Sequence, residues 1–177
     1  MGSFRVHMKH SYPSRYLDEP LKLLAIQSMC AMIDMALAER EEHPAVYQGV
    51  KVFYDNLDSD VWLETYLYFE MALLKEMGFG LDLRVCASTG QGDEADKLIY
   101  VSPKSGRGVS RSAGEPYKDK LLRMPRFMIG KIGETDAETQ QDIMNGFDML
   151  GYFFEHRVFT QTYHCLLYTS PSPRDRG

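Results

Sequence analysis

Two side chains in this sequence have the type and setting for chemistry. They are Cys86, in the run GFGLDLRVCASTG, and Glu70, a carboxylate inside an apolar helical stripe. A cysteine nucleophile needs a base and an electropositive pocket to hold its thiolate. His7, His10, His43, His156 and His164 are all distant from Cys86 along the chain, so Cys86 reads as a free thiol, half-buried or exposed. Burial would raise the pKa of Glu70, but Leu73 and Leu74 fill the i+3 and i+4 positions where a second carboxylate or metal ligand would sit. Glu70 is expected to bond a neighbouring backbone group or one buried base. Cys30 reads as a small core residue on the first helix. Gly78, Gly80 and Gly90 match neither phosphate-binding glycine pattern, and they follow a helix, where carbonyls rather than amides are left free. Zinc requires close ligand pairs such as Cys-x-x-Cys, and Thr89 stands where the second cysteine would be. A hydrolase built on Cys86 or Glu70 is therefore the weakest reading. No catalytic residue, metal or cofactor is expected.

The elements that carry these residues are mostly helical. Asp18-Glu19-Pro20 opens a first helix whose apolar face runs through Leu21, Leu24, Ile26, Met29, Ile33 and Leu37 to Ala38. His43-Pro44 starts a second, with Val46, Val50, Phe53, Tyr54 and Leu57 at helical spacing. Asp58-Ser59-Asp60 breaks it, and a third helix runs from about Val61 to Met77, where Gly78 stops it. From Leu81 to Met124 the period changes. Leu98-Ile99-Tyr100-Val101 reads as a strand, Pro103-Lys104-Ser105-Gly106 as a turn, and Gly108-Val109-Ser110 as its return. Thr135 caps a last helix through Ile143, Phe147, Leu150 and Phe153. At the N-terminus Ser3 to Met8 alternates like a short strand. The fold class is mainly α, with a small β-hairpin and loop insert.

At 177 residues the chain suits one domain, and its 44% hydrophobic and 25% charged residues are ordinary for a globular protein. No apolar run is long enough for a membrane helix, and the cytoplasm is the default location. Three cysteines with no repeated spacing make no disulfide framework. The net charge of −5 is uneven: residues 102–131 hold eight Lys/Arg against two acids, a local +6 that leaves −11 elsewhere. The segment is either a solvated loop or an anion-facing patch for phosphates or an acidic peptide.

Taken together, ETYLYFEMALLKEMGFGLDL (Glu64 to Leu83), CASTG (Cys86 to Gly90) and YVSPKSGRGVSRSAGEPYKDKLLRMPRF (Tyr100 to Phe127) resemble the C-terminal region of the bacterial recombination-mediator family RecO. The resemblance is closest to its α-proteobacterial members and covers about Gly2 to Val158. It implies residues 1–16 as the end of an OB-fold and its linker. It implies residues 17–160 as the helical domain, with a degenerate zinc-ribbon-like insert at about 81–131. Residues 161–177, ending in CLLYTSPSPRDRG, look like adapter read-through rather than native sequence. Many relatives carry two Cys-x-x-Cys pairs in the insert. Here Cys86 alone matches the first ligand, which implies a metal-free version.

The activity that the resemblance implies is non-enzymatic DNA repair and homologous recombination. The partners implied are RecR, the acidic tail of single-stranded-DNA-binding protein (SSB), and single- and double-stranded DNA, bound less well without the OB-fold. An SSB tail would need a groove between helices combined with basic residues. Lys104, Arg107, Arg111, Lys118 and Lys120 are the candidates for partner or phosphate contact, chosen by charge alone. The second reading is a free-standing helical adaptor that binds an acidic peptide and has no role on DNA.

Overall fold

The computed structural model describes residues 15–37, 41–131 and 135–160. The expected N-terminal strand and the tail from residue 161 lie outside the described residues. Three helices form the first half: α1 (Pro20–Ala36), α2 (Pro44–Asp55) and α3 (Trp62–Leu74). Proline occupies the first turn of both α1 and α2, where its missing N–H costs nothing. A short α4 (Arg111–Gly114) lies in the insert, and α5 (Asp136–Phe153) closes the chain's described part. Thr135 caps α5 as its sequence predicts, its Oγ1 accepting from the Glu138 amide at 3.3 Å. Both α3 and α5 run on into a wider helical turn, Lys75–Phe79 and Phe154–Phe159.

The centre of the molecule is α3. It packs on α2, α5 and α1, and buries Tyr66, Leu67, Phe69, Leu73 and Leu74. A helix apolar on nearly every side can exist only where neighbours cover it. Two glycines let them approach. A Cβ on Gly49 of α2 would stand 3.4 Å from Phe69 Cα, and one on Gly146 of α5 would stand 2.7 Å from Leu67 Cδ1. Leu57 falls outside α2 yet is fully enclosed. Tyr16, just before α1, is also buried, with its hydroxyl donating to Asp58 at 2.9 Å.

The helix ends where sequence places its stop. Gly78 has φ 87°, a left-handed conformation that glycine alone adopts without strain. The insert that follows contains an antiparallel sheet of order β2-β1-β3: β1 (Leu98–Val101), β2 (Gly108–Ser110) and β3 (Leu122–Arg123). The first two are the predicted hairpin. The third is two residues long, too short to leave a periodic signal. The chain from Ser110 to Leu121 folds back over this sheet through α4, bringing Gly114 against the Tyr100 ring. A Cβ there would stand 2.4 Å from Tyr100 Cδ2.

Several sequence expectations are corrected. Cys30 is exposed rather than in the core, because it points off the side of α1 that α3 covers. Leu21 and Leu24 are 69% and 58% exposed, so the apolar face of α1 is broader than its neighbours can cover. Cys86 is fully buried, neither half-buried nor exposed.

The glycine contacts generate a paired prediction, read by denaturant unfolding. Gly114→Ala should destabilise by about 1–3 kcal/mol, because the ring it meets is buried, lies under Arg123 and is tied by its hydroxyl to Glu115. Gly151→Ala, on α5 with no atom near its added Cβ, should stabilise by about 0.5–1 kcal/mol through helix propensity.

Candidate partner and nucleic-acid interface

The insert is built around Cys86. Its amide donates to the Gln91 carbonyl at 2.7 Å and its carbonyl accepts from Gly90 at 2.9 Å, closing a tight knuckle. Gly90 turns that knuckle at φ 70°. The Ser110 amide donates to Cys86 Sγ at 3.3 Å, which joins the knuckle to the end of β2. Burial pushes the Cys86 thiol up, but hydrogen bonds from Ser110 and Thr89 outweigh it and bring the pKa down to about 6. The sulfur is a structural acceptor, and its enclosure denies it any substrate. Thr89 and Ser110 offer hydroxyls where zinc needs thiolates or imidazoles, so the donor set does not fit that metal. Among the described residues no three His, Cys, Asp or Glu side chains converge to hold one.

Neither described histidine serves Cys86. His43 Nδ1 pairs with Glu76 Oε1 at 2.9 Å, tying the start of α2 to the turn after α3, and His156 Nδ1 meets the Tyr152 carbonyl at 2.9 Å. Glu70 is buried on α3, where burial raises its pKa to about 7 against a small opposing effect from the Tyr66 hydroxyl. That hydroxyl, one helical turn earlier, is its partner. Neither the backbone group nor the buried base expected from sequence is involved. Tyr66 is itself pushed up by burial and by the neighbouring Glu70 carboxylate.

The five basic candidates are all exposed on the insert. Lys104 lies in the β1–β2 turn and Arg107 just before β2. Because Leu122 of β3 pairs with Val101, Lys120 comes back to that same end of the sheet. Arg111 starts α4 at the other end, its amide bonded to the Lys97 carbonyl at 2.8 Å. Lys118 is held by Glu115 at 3.3 Å. Among the described residues Lys104, Arg107 and Lys120 make no ion pair. Arg123, left out of the candidates, stacks over the Tyr100 ring at 4.8 Å, and the Tyr100 hydroxyl donates to Glu115 at 3.1 Å. Arg157, from the turn after α5, donates to the carbonyls of Pro103 (3.2 Å) and Lys104. It therefore fixes the basic turn against the helices. No local pattern around Arg157 announces that role.

A groove of about 390 Å³ lies elsewhere, between α1, α3 and α5. Leu21, Leu24, Trp62, Tyr66, Met144 and Phe147 line it, and none of the five cations does. Sequence joins groove and basic residues in one site, whereas the fold puts them on different elements.

Residues 17–163 match the family described as Recombination protein O C terminal. The chain belongs to the RecO family. It is 41% identical over 159 residues to the DNA repair protein RecO of Rhodospirillum centenum, covering 90% of this chain and 62% of that one. The same-named protein of a Caulobacter species is 40% identical over 160 residues, at 90% and 63% coverage. That of a Methylorubrum extorquens strain is 39% identical over 164 residues, at 90% and 65%. The chain thus spans less than two thirds of the length of these RecO relatives. No solved structure matches it.

Glu70 supplies a pH prediction for this RecO domain. Its folded pKa lies above the ordinary 4.5, so the folded state holds a proton that the unfolded state releases. The Glu70 contribution to stability should be fully present below about pH 4.5 and be lost as pH rises through 7. At about 1.4 kcal/mol per pKa unit the loss is on the order of 3 kcal/mol. Urea unfolding of Glu70→Gln between pH 4.5 and 8 should show that component of the slope removed.

Proposed function

We propose that this chain is a non-enzymatic docking module in DNA repair and homologous recombination, of the recombination-mediator type. It docks RecR and SSB, assists recombinase loading and strand annealing, and makes auxiliary contacts with single- and double-stranded DNA. The observation that carries the reading is the set of exposed cations at the turn end of the insert that make no ion pair among the described residues, on a domain whose relatives are named DNA repair proteins. Such cations are free to replace counterions on a phosphate backbone. Cys86 is buried and Glu70 is enclosed on α3, so neither of the two side chains that sequence singles out for chemistry faces a ligand. Such a module would work in the cytoplasm, at the nucleoid where its DNA lies; among the described residues no helix is long and apolar enough to cross a membrane.

The apolar groove favours a second reading, a peptide adaptor without a DNA role. It accommodates the apolar end of an acidic tail, while the tail's charges would have to reach cations outside its lining. Fluorescence anisotropy separates the two readings. This chain should bind a labelled single-stranded oligonucleotide weakly, with log K falling by about 0.7 per phosphate contact against log salt. Lys104→Glu combined with Arg107→Glu and Lys120→Glu should flatten that slope and abolish binding at moderate salt. Oligonucleotide binding untouched by those changes, beside tight capture of an acidic peptide, would move the conclusion to the adaptor.

A further inference from the structure

Glu64 sits in the first turn of α3 and lines a second cavity, of about 380 Å³, between α3, α5 and the Arg126–Lys131 segment. Its Oε2 is enclosed and, among the described residues, has no hydrogen-bond partner. An enclosed carboxylate oxygen without a partner is among the costlier polar arrangements a fold can retain. The cations at the rim do not relieve it. Arg126 is committed to Asp142 at 2.9 Å and to Glu138 at 3.2 Å, and Lys131 is committed to Asp93. Both cations therefore have their acids, and Asp142 on the wall has Arg126, while among the described residues Glu64 pairs with no cation. The rest of the wall is largely apolar. Val61 and Tyr68 are 48% and 40% exposed, so the cavity can be entered from solvent. The Tyr68 ring stands edge-on to Phe127 at 5.7 Å, and its hydroxyl donates to the Phe127 carbonyl at 2.6 Å. That aromatic wall is in place before anything binds.

We propose that this cavity anchors an arginine side chain of a protein partner, with the guanidinium on Glu64 and the methylenes along Val61, Tyr68 and Phe127. The chemistry favours arginine over lysine. A guanidinium is flat, weakly hydrated and stacks on aromatic rings, whereas an ammonium gives up more hydration on entering such a site. The recruited charge is opposite to the one the basic insert attracts. The two surfaces therefore take different ligands, and this inference does not depend on a DNA role.

The test is a titration of the ¹⁵N-labelled chain with N-acetyl-arginine amide, and separately with the citrulline analogue, which keeps the shape and loses the charge. Arginine amide should shift the amides of Val61, Tyr68, Gly130 and Thr139 and saturate in the millimolar range, as ligands of this size do. Citrulline should bind at least about fivefold more weakly, and Glu64→Gln should weaken arginine by a similar factor. Lys120→Glu, at a residue that does not line the cavity, should leave the titration unchanged. Equal binding of citrulline, shifts confined to other residues, no saturable shift, or retention of affinity in Glu64→Gln would each overturn the proposal. Thermal unfolding of Glu64→Gln supplies a check on the fold itself. The midpoint should hold or rise, because an uncompensated charge is removed. A lowered midpoint would mean that the carboxylate already has a partner within the fold, and would overturn the proposal as well.

Discussion

The enclosure of α3 is the constraint from which the rest of this structure follows. A thirteen-residue helix that buries side chains on most of its circumference must be reached from several directions at once. Gly49 and Gly146 allow α2 and α5 to come within contact of Phe69 and Leu67. Because α3 is covered so completely on that side, Glu70 has to find a partner on its own helix, and Tyr66 supplies it. The surfaces left for ligands are the seams where α3 is not quite covered. The apolar groove opens on its Trp62 and Tyr66 side, and the Glu64 cavity opens on its Tyr68 side.

The insert meets a different problem: a small sheet with little core of its own. It solves this by stacking the Arg123 guanidinium and packing the Gly114 backbone on Tyr100, and by gathering hydrogen bonds onto one buried sulfur. A metal would tie the same two segments together with stronger bonds. Here Cys86, Ser110 and Thr89 join them with weaker ones, and the sheet is correspondingly short.

The helical frame was legible in sequence because it rests on local signals. Proline in the first turns of α1 and α2, the Thr135 cap and Gly78 each act within a few residues of where they stand. The β1–β2 hairpin announced itself through β-branched residues and a Pro/Gly turn. What sequence did not reveal depends on tertiary approach. β3 is two residues whose only distinction is their partner, Val101 and Tyr100. Cys30 and Leu24 lie on a helix whose apolar arc exceeds what α3 and α5 can cover, and only packing decides which of its residues stay dry. For the candidate site, charge counting located the exposed cations but not their arrangement. It could not foresee that Lys118 is neutralised by Glu115, or that the groove and the cations belong to separate elements. It also read Glu70 for its chemistry and passed over Glu64, earlier on the same helix, whose setting depends on residues far along the chain.

Arg157 gives the domain a mechanical property as well as a contact. It reaches from the end of α5 to two carbonyls in the β1–β2 turn, so the turn is latched to a helix that also walls both cavities. A ligand that draws the turn outward must carry the end of α5 with it or release the latch. The position of the basic turn is thus set by the end of α5 as well as by its own hairpin, and only rupture of the Arg157 bonds would let the two move independently.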